Sequence, residues 1–502
     1  MSYNTNPNSA ETVAQSTDRL STGVSGLDEI LHGGFISERS YLLRGEPGTG
    51  KTILGLHYLT TGVVQGETAL FINLEETTAD IEQNAAALGF DLEDVHFLDL
   101  SPKSEFFAGE QGYDIFESSE VERDPIVARI AEQVSELQPD RVFVDPISQL
   151  RYLSTDEYQF RKQALSFMRL LSEQGATVLF TTQATDDAPD DDLQFMSDGS
   201  IDLGYASTGR SISVPKFRGS ETEGGNHAME ITAGGLVVYP ELTPGKQNQE
   251  FVAEPISSGV PEVDELLNGG LDRGTVTVIS GPTGVGKTTT GTQFMKEAAG
   301  RGERSVMYLF EESEATFMQR SEAINIPVSE MRERGTLTVE EVEPLQVSPQ
   351  EFAQMVRHQV EEEDADIVMI DGIAGYKLGL QGDEDELVTH LHALNRYLKN
   401  MGVTVILIDE VSNITGEFQA TNVGISYLAD NIVFLRHLEL EGEMQKVIGV
   451  LKMRTSDFER TLRKFEITEH GITVGDPLIQ VQGILSGTPQ LTDNQDRDGL
   501  SE

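Results

Sequence analysis

A phosphate-binding loop motif occurs twice in this 502-residue chain and constrains its fold more than any other sequence feature. Gly-Glu-Pro-Gly-Thr-Gly-Lys-Thr at 45–52 and Gly-Pro-Thr-Gly-Val-Gly-Lys-Thr at 281–288 both fit the pattern G-x-x-x-x-G-K-[ST]. Each copy follows a short apolar stretch, 41–43 or 276–280, and precedes a helix-compatible one. This is the strand, loop and helix order that the motif requires. Two copies in the same context argue against a chance glycine-rich turn.

The residue types in the motif indicate how it would bind a nucleotide. Its glycines let backbone N–H groups face phosphate oxygens, and the following helix adds positive potential at its N-terminus. The lysine reaches the terminal phosphates, and the threonine can ligate Mg²⁺. We therefore expect two sites that use ATP and Mg²⁺ as cofactors. The predicted ATP-binding residues are Gly45, Glu46, Pro47, Gly48, Thr49, Gly50, Lys51 and Thr52, and Gly281, Pro282, Thr283, Gly284, Val285, Gly286, Lys287, Thr288 and Thr289.

The duplication extends beyond the loops and predicts two domains. Residues 21–34 are echoed by 257–270 at the same offset as the loops (281 − 45 = 236), so the repeat is internal. The length also favours two domains of about 230 residues. We predict a disordered polar tail at 1–16, a first domain at 17–242, a Pro-Gly linker at 243–250, a second domain at 251–487 and a loose tail at 488–502.

Charge and composition exclude several classes of protein. The net charge is −48, with 84 acidic against 36 basic residues, so nucleic acid and acidic membranes would be repelled. The acids are spread along the chain, as in proteins of extreme halophiles, whose KCl-rich cytoplasm screens self-repulsion. The absence of cysteine excludes disulfides and thiolate chemistry. The polar N-terminus and the lack of an 18-residue apolar run predict a cytoplasmic protein without a membrane segment.

Paired carboxylates end the same strand in both halves. Glu75 and Glu76 follow the apolar stretch 69–74, and Glu311 and Glu312 follow 306–310. Ligands of open parallel sheets lie at such strand ends, where a carboxylate can take a proton from the oxygen that attacks the γ-phosphate. The alternative is capping of the next helix, because acidic residues favour a first turn. Since the pair repeats at a fixed distance from the loop, we predict that one member of each pair is catalytic.

An aspartate ends a further apolar strand in each half. Asp145 closes 141–145 and Asp371 closes 366–371. Taken alone, such an aspartate is more often a plain strand end. After a phosphate-binding loop it more often orients Mg²⁺ or a water bound to the metal. We therefore predict that Thr52 with Asp145, and Thr288 with Asp371, form the metal sites.

A basic pair is repeated near the end of each half. Lys216 and Arg218 in the first half correspond to Lys452 and Arg454 in the second. Residues two apart on a strand share a face, so each pair presents two cations together. Because each loop already has its own lysine, we predict that these pairs contact the phosphate of a neighbouring subunit. The alternative is a solvated strand with local salt bridges.

Taken together, these motifs resemble the KaiC family, the two-domain clock ATPases of the wider RecA/RadA class. The resemblance covers about residues 18–487 and includes segments 71–78 and 442–454. It implies two tandem RecA-like α/β domains, each with a mainly parallel twisted sheet flanked by helices. It also implies a homo-hexameric double ring with ATP between subunits and K-x-R residues reaching in from the neighbour. In the family the first domain hydrolyses ATP, and the second is an autokinase and autophosphatase. The acidic composition is similar to that of a haloarchaeal member of this family.

The resemblance identifies one candidate phosphoacceptor. Ser426 matches the family's acceptor serine, whereas Tyr427 stands where the adjacent threonine would be. A two-site phosphorylation cycle is therefore not expected. Phosphorylation at Ser426 alone, and an ATPase that phosphorylates nothing, both remain open. A clock role is not implied, and the expected partners are further copies of the chain and unidentified signalling proteins.

Two other functions compete with a regulatory ATPase. A RecA-like DNA recombinase needs basic loops at the ring axis, but segments 182–198 and 410–422 contain no lysine or arginine. An ATP-sensing scaffold without turnover would not need the repeated glutamates and aspartates. We therefore predict a signalling or regulatory ATPase with possible serine/threonine autokinase activity.

Overall fold

The chain forms two compact units, divided between Glu241 and Leu242. The computed structural model describes residues 18–104, 124–153, 157–182, 190–206, 209–245, 249, 251–252, 254–379, 384–411, 421, 425–440, 442–484 and 490–491. The predicted tail at 1–16, most of the tail at 488–502 and about half of the linker lie outside these residues. Most of the two segments without basic residues also lies outside them. The predicted domain boundaries stay predictions, and each unit is described by itself.

Unit 1, the residues up to Glu241, alternates strands and helices along the chain. Its strands are β1 (Arg19–Leu20), β2 (Phe35–Ile36), β3 (Ser40–Gly45), β4 (Ala69–Asn73), β5 (His96–Asp99), β6 (Arg141–Asp145), β7 (Thr177–Thr182), β8 (Gly199–Ala206), β9 (Gly209–Phe217), β10 (His227–Thr232) and β11 (Gly235–Tyr239). Its helices are α1 (Ser25–Ile30), α2 (Lys51–Val64), α3 (Thr78–Ala87), α4 (Asp124–Leu137), the 3₁₀ helix Ile147–Leu153, α5 (Glu157–Glu173) and α6 (Asp191–Met196).

Unit 2, the residues from Leu242 onward, repeats this order. Its strands are β12 (Pro255–Ile256), β13 (Leu271–Asp272), β14 (Val276–Gly281), β15 (Ser305–Leu309), β16 (Leu337–Glu341), β17 (Ile367–Asp371), β18 (Thr404–Glu410), β19 (Asn431–Leu440), β20 (Glu443–Met453), β21 (Arg463–Thr468), β22 (Gly471–Pro477), β23 (Val481–Gln482) and β24 (Gln490–Leu491). Its helices are α7 (Pro261–Leu266), α8 (Lys287–Gly300), α9 (Glu314–Glu322), α10 (Val328–Glu333), α11 (Pro349–Glu361), α12 (Ile373–Gly379), α13 (Glu384–Asn400) and the 3₁₀ helix Ile425–Tyr427.

Each unit is built on one nine-stranded, mainly parallel sheet. The strand order is β11-β10-β9-β8-β3-β7-β6-β4-β5 in unit 1 and β16-β15-β17-β18-β14-β19-β20-β21-β22 in unit 2. The strands from β8 to β5, and from β16 to β19, run parallel, and the other three in each sheet are antiparallel. The predicted fold class of two tandem RecA-like α/β domains is confirmed.

Both faces of each sheet are buried, which explains why the central strands are almost continuously apolar. On β3, Leu43 packs into one core cluster of unit 1 and Leu42 into the cluster on the opposite face. Unit 2 has the same arrangement, with Ile279 on one face of β14 and Val278 on the other. The predicted strand limits agree with the observed ones to within about two residues. No helix in the described part of the chain is long and apolar enough to cross a membrane.

The repeated segment that precedes each loop strand is a turn built around one aspartate. In unit 1, Asp28 of α1 accepts hydrogen bonds from Ser21 Oγ at 2.5 Å and Thr22 N at 2.7 Å. In unit 2, Asp264 accepts from Ser257 Oγ at 2.6 Å and Ser258 N at 2.7 Å. These bonds hold the segment just before each helix against a side chain of that helix. The repeated serine and aspartate are therefore explained by local structure.

Candidate nucleotide-binding sites

Both phosphate-binding loops connect the C-terminal end of a central strand to a long helix. β3 ends at Gly45 and α2 begins at Lys51, while β14 ends at Gly281 and α8 begins at Lys287. The residue before each helix is left-handed, with φ of 106° at Gly50 and 116° at Gly286, which only glycine adopts without strain. The predicted strand, loop and helix order is therefore present in both units.

The loop lysines fold back over their own loops. Lys51 is buried, and its Nζ donates to the carbonyls of Gly45 at 2.7 Å and Glu46 at 3.0 Å. Burial lowers the pKa of Lys51, although the charges of Asp145 and Glu75 oppose that shift. In unit 2, Lys287 Nζ donates to Pro282 O at 3.0 Å and lies 3.6 Å from Glu410. Both ammonium groups lie where terminal phosphates would replace carbonyl and carboxylate oxygens as their partners.

The structure brings each predicted metal-binding pair together. Thr52 Oγ1 donates to Asp145 Oδ2 at 2.6 Å, and Thr181 donates to the other oxygen of the same carboxylate. Burial raises the pKa of Asp145. In unit 2, burial raises the pKa of Asp371 to about 6, a rise that a hydrogen bond from Thr288 partly opposes. Buried carboxylates of this kind gain most from a nearby cation.

The paired glutamates open into the cavity beside each loop and do not cap the next helix. Thr77 and Ser313 are the N-cap residues of α3 and α9, and both follow the glutamate pairs. Glu75 and Glu76 line a cavity of about 550 Å³ together with Lys51. Burial, with the charges of Asp145 and Glu75, raises the pKa of Glu76. The alternative interpretation, that the glutamates cap the next helix, therefore does not apply to these residues.

In unit 2 the corresponding carboxylates have stronger partners. Glu311 Oε1 accepts from Gly375 N at 3.3 Å, and Glu312 forms an ion pair with Arg320 at 2.8 Å. Both line a cavity of about 540 Å³ beside Lys287. In unit 1 the position equivalent to Arg320 is Asn84, since both lie seven residues after the N-cap of the equivalent helix. The two sites share motifs but differ in charge around the second glutamate.

Sequence reasoning missed several residues of the two cavities. Ile231 and Ile467 line equivalent places, and their offset equals that of the loops (467 − 231 = 236). Lys446 lines the cavity of unit 2, where its Nζ donates to Gly284 O at 3.0 Å. The two isoleucines could have been found from the sequence, because they are separated by the same 236 residues as the two loops. The role of Lys446 depends on how β20 lies next to the loop, which no local pattern shows.

The repeated basic pairs lie at the opposite end of the sheet from the loop of their own unit. In β9, Lys216 is opposite Ser200, which pairs with Leu42 of β3. Lys216 therefore lies near the start of β3, roughly 10 Å of strand before Gly45. Its Nζ donates to the carbonyl of Ser197 at 2.6 Å and of Phe195 at 3.1 Å. A side chain placed there does not reach the loop of its own unit.

Unit 2 repeats this arrangement around the candidate phosphoacceptor. Lys452 Nζ donates to the carbonyls of Ser426 at 2.9 Å and Ala429 at 2.7 Å, and Arg454 donates to Tyr427 O at 3.1 Å. Arg454 and Arg218 also lie 3.7 and 3.8 Å from Asp430 and Asp198, respectively. The side chain of Ser426 is exposed. Ser426 precedes β19, whose Asn431 pairs with Thr277 near the start of β14, so it lies far from its own Lys287.

The cavities fit a nucleotide with a magnesium ion. Volumes of about 550 and 540 Å³ lie in the usual range of about 300–1,000 Å³ for small-molecule sites. A threonine hydroxyl and a carboxylate are oxygen ligands of the kind that Mg²⁺ prefers. Among the described residues, no group of three or more His, Asp or Glu side chains is placed to hold a metal ion. Phosphate oxygens and water would therefore complete the coordination of Mg²⁺.

This fold and these sites define a tandem P-loop protein with two RecA-like ATP-binding units. A family model described as "ATPase: KaiC" matches residues 20–243 and 256–478, and the chain belongs to the KaiC family. It is 27% identical over 498 residues to a "Circadian clock oscillator protein KaiC" of Acaryochloris marina, covering 96% of this chain and 93% of that protein. It is 26% identical over 509 residues to the "Circadian clock protein KaiC3" of a Synechocystis species, covering 97% and 98%.

Proposed function

We propose that this protein is a Mg²⁺-dependent regulatory ATPase that binds and hydrolyses ATP in both units. The observation that carries the proposal is the repeated set of lysine, threonine, aspartate and glutamates around each cavity. When bound, Mg²⁺ would neutralise part of the negative charge of the phosphates. Lys51 or Lys287 then binds the terminal phosphates, and the loop amides hold them in line for attack.

One glutamate of each pair serves as the base for the attacking water. In unit 1, Glu75 and Glu76 lie in the same cavity as Lys51, and the raised pKa of Glu76 improves its match to a proton-accepting role. In unit 2, Glu311 is oriented by the Gly375 amide, while Glu312 forms an ion pair with Arg320. An ATP-sensing scaffold without turnover would not need this repeated arrangement of carboxylates.

We also propose that the protein assembles into a homo-hexameric ring in the cytoplasm at high salt. The position of the basic pairs supports this assembly, because each pair lies at the end of its sheet remote from the loop of its own unit. Lys216 with Arg218, and Lys452 with Arg454, would then contact ATP held by a neighbouring copy. Their local carbonyl partners pre-orient the side chains for that contact.

A kinase activity would act on Ser426 from a neighbouring copy. Ser426 is exposed, and the sheet register places it far from the second loop of its own chain. Its hydroxyl would attack the γ-phosphate bound by Lys287 of that copy, while Glu311 or Glu312 takes the proton. The bond between the γ-phosphorus and the bridging oxygen then breaks, and ADP leaves. Tyr427 leaves a single hydroxyl of the serine or threonine type at this position. We therefore propose single-site phosphorylation.

Incubation with γ-labelled ATP and Mg²⁺ in molar KCl tests these activities together. Released phosphate measures hydrolysis, and label on the protein measures kinase activity. The Lys51→Ala/Lys287→Ala variant should show neither, whereas Ser426→Ala should lose the label and keep hydrolysis. Bound ATP without released phosphate would favour the scaffold. Release without label on Ser426 would leave an ATPase only.

A further inference from the structure

A second type of cavity lies in unit 2, at the end of the sheet remote from the phosphate-binding loop. We call it the basic pocket and define it by His392, Asn395, Arg396, Lys399, Tyr427 and Arg454. Its volume is about 210 Å³. That is below the usual size of a site for a whole nucleotide, and it leaves room for a small ion or a terminal group. The proposed activity assigns no role to the four α13 residues.

The basic pocket has an excess of positive charge in a strongly acidic chain. Lys399 Nζ lies 2.7 Å from Asp430, and Arg454 lies 3.7 Å from the same carboxylate. The buried Asp430 therefore pairs with two cations. Within the described chain, no ion pair is found for Arg396. None of the described residues that line the cavity is acidic. Arg396, Lys399 and Arg454 against the single Asp430 leave a local balance of about two positive charges, so the pocket attracts an anion.

Asn395 provides an independent indication of a ligand. Its side chain lines the basic pocket and is only 3% exposed, yet neither its amide oxygen nor its amide nitrogen has a hydrogen-bond partner among the described residues. Buried polar groups without partners are rare because each one loses its bonds to water. An anion in the cavity would accept a hydrogen bond from Asn395 Nδ2 beside the cations.

Unit 1 does not repeat these residues, although it repeats the helix. α5 and α13 both have 17 residues, and each ends two residues before a left-handed glycine, Gly175 or Gly402. At the positions of His392, Asn395 and Lys399, α5 has Leu165, Met168 and Ser172, while Arg169 stands in place of Arg396. The polar and cationic side chains are thus a feature of α13. A solvated helix face would not require a buried asparagine.

We propose that the basic pocket binds a phosphate-class oxyanion outside the two loop cavities of its own chain. Arg454 borders this pocket and is also the residue that the ring proposal assigns to the ATP of a neighbouring copy. The guanidinium of Arg396 donates to its oxygens in the paired geometry that arginine favours, and Asn395 Nδ2 and Lys399 donate from the helix side. The anion is either free inorganic phosphate, the product of hydrolysis, or a phosphate group presented by a second copy of the chain. Both share the chemistry that the pocket recognises.

Equilibrium dialysis of labelled orthophosphate against the full chain tests the first source, with Mg-ADP saturating the nucleotide sites. The test variants are Asn395→Met, which introduces the residue of unit 1, and Arg396→Gln. Arg169→Gln is the matched control, because it removes the equivalent arginine where Leu165 and Met168 stand in place of the histidine and the asparagine. We expect phosphate affinity to fall about tenfold to a hundredfold in both test variants. ATP hydrolysis and circular dichroism should be unchanged.

ATP-dependent association of the same variants, followed by light scattering, tests the second source. A loss of orthophosphate binding assigns the pocket to free phosphate. Weaker association alone, with unchanged dialysis, assigns it to a phosphate on another copy. If both test variants match the control in both assays, the proposal is wrong. If the test variants still hydrolyse ATP, the proposed ATPase function does not depend on the basic pocket.

Discussion

Replacing Asp371 with asparagine should stabilise unit 2 without nucleotide and remove its response to Mg-ATP. Burial raises the pKa of Asp371 from 3.8 to about 6, so folding opposes the charged form of this carboxyl. A shift of this size corresponds to about 3 kcal/mol in the free energy of unfolding. The carboxylate also borders the cavity, where water screens part of that cost, so we expect a gain of about 1–3 kcal/mol. Asparagine keeps an acceptor for the hydrogen bond from Thr288.

The pH dependence gives the sign of this effect. Because the folded state has the higher pKa, the wild-type unit loses stability as the pH rises from about 4 to about 6. The asparagine variant does not titrate there, so its advantage should grow over that range and stay constant above it. Urea unfolding of the full chain near pH 4 and pH 7 measures both limits. Asp145→Asn is the matched variant in unit 1, where burial also raises the carboxyl pKa.

Mg-ATP should reverse the order of stability. A ligand at a hundred times its dissociation constant stabilises the folded state by about 2.7 kcal/mol, and the wild-type chain should gain this in unit 2. The Asp371→Asn variant should gain little, because the oxygen pair that would hold Mg²⁺ has lost its charge. A variant that is less stable than wild type without nucleotide, or that responds fully to Mg-ATP, would refute this reasoning.

Three further predictions address the two sites and the assembly. Lys51→Ala and Lys287→Ala should each remove about half of the bound nucleotide in equilibrium dialysis, and an unchanged stoichiometry in either would count against that site. Converting Glu75, Glu76, Glu311 and Glu312 to glutamine should lower the rate of ATP hydrolysis by about 10²- to 10⁴-fold, because the general base is lost, while ATP still binds. If the variant hydrolyses ATP at the wild-type rate, the carboxylates have a structural role only. Arg218→Ala and Arg454→Ala should weaken ATP-dependent assembly in light scattering without changing the unfolding midpoint, and a wild type that remains monomeric with ATP would end the ring proposal.

Much of the fold could be predicted because the deciding signals are local. The left-handed glycines, the helix that begins at the loop lysine and the apolar strand that ends in aspartate all follow from short stretches of sequence. The repeat then allowed each weak signal in one half to be checked in the other. Asp145 ends a short apolar run, and its equivalence to Asp371 made a metal-binding interpretation preferable to a plain strand end.

The residues that sequence reasoning missed depend on contacts between distant segments. Lys446 lies 162 residues from Gly284 along the chain, and it reaches the loop only because β20 lies beside it. The basic pocket likewise joins α13 to the segment before β19 and to the end of β20. No periodicity or motif shows such pairings, since they depend on how the strands are ordered in the sheet.

These missed residues also indicate why two units with the same motifs would act differently on phosphate. The cavity of unit 2 is lined by Arg320 and Lys446 in addition to its loop lysine, whereas Lys51 is the one basic residue among the described residues that line the cavity of unit 1. Additional cations hold the charge of a transferred phosphoryl group more strongly, and Arg320 occupies Glu312 in an ion pair. Unit 1, where Asn84 leaves Glu76 without that cation, is therefore better suited to activating water. Unit 2 is better suited to holding phosphate for transfer to a positioned hydroxyl.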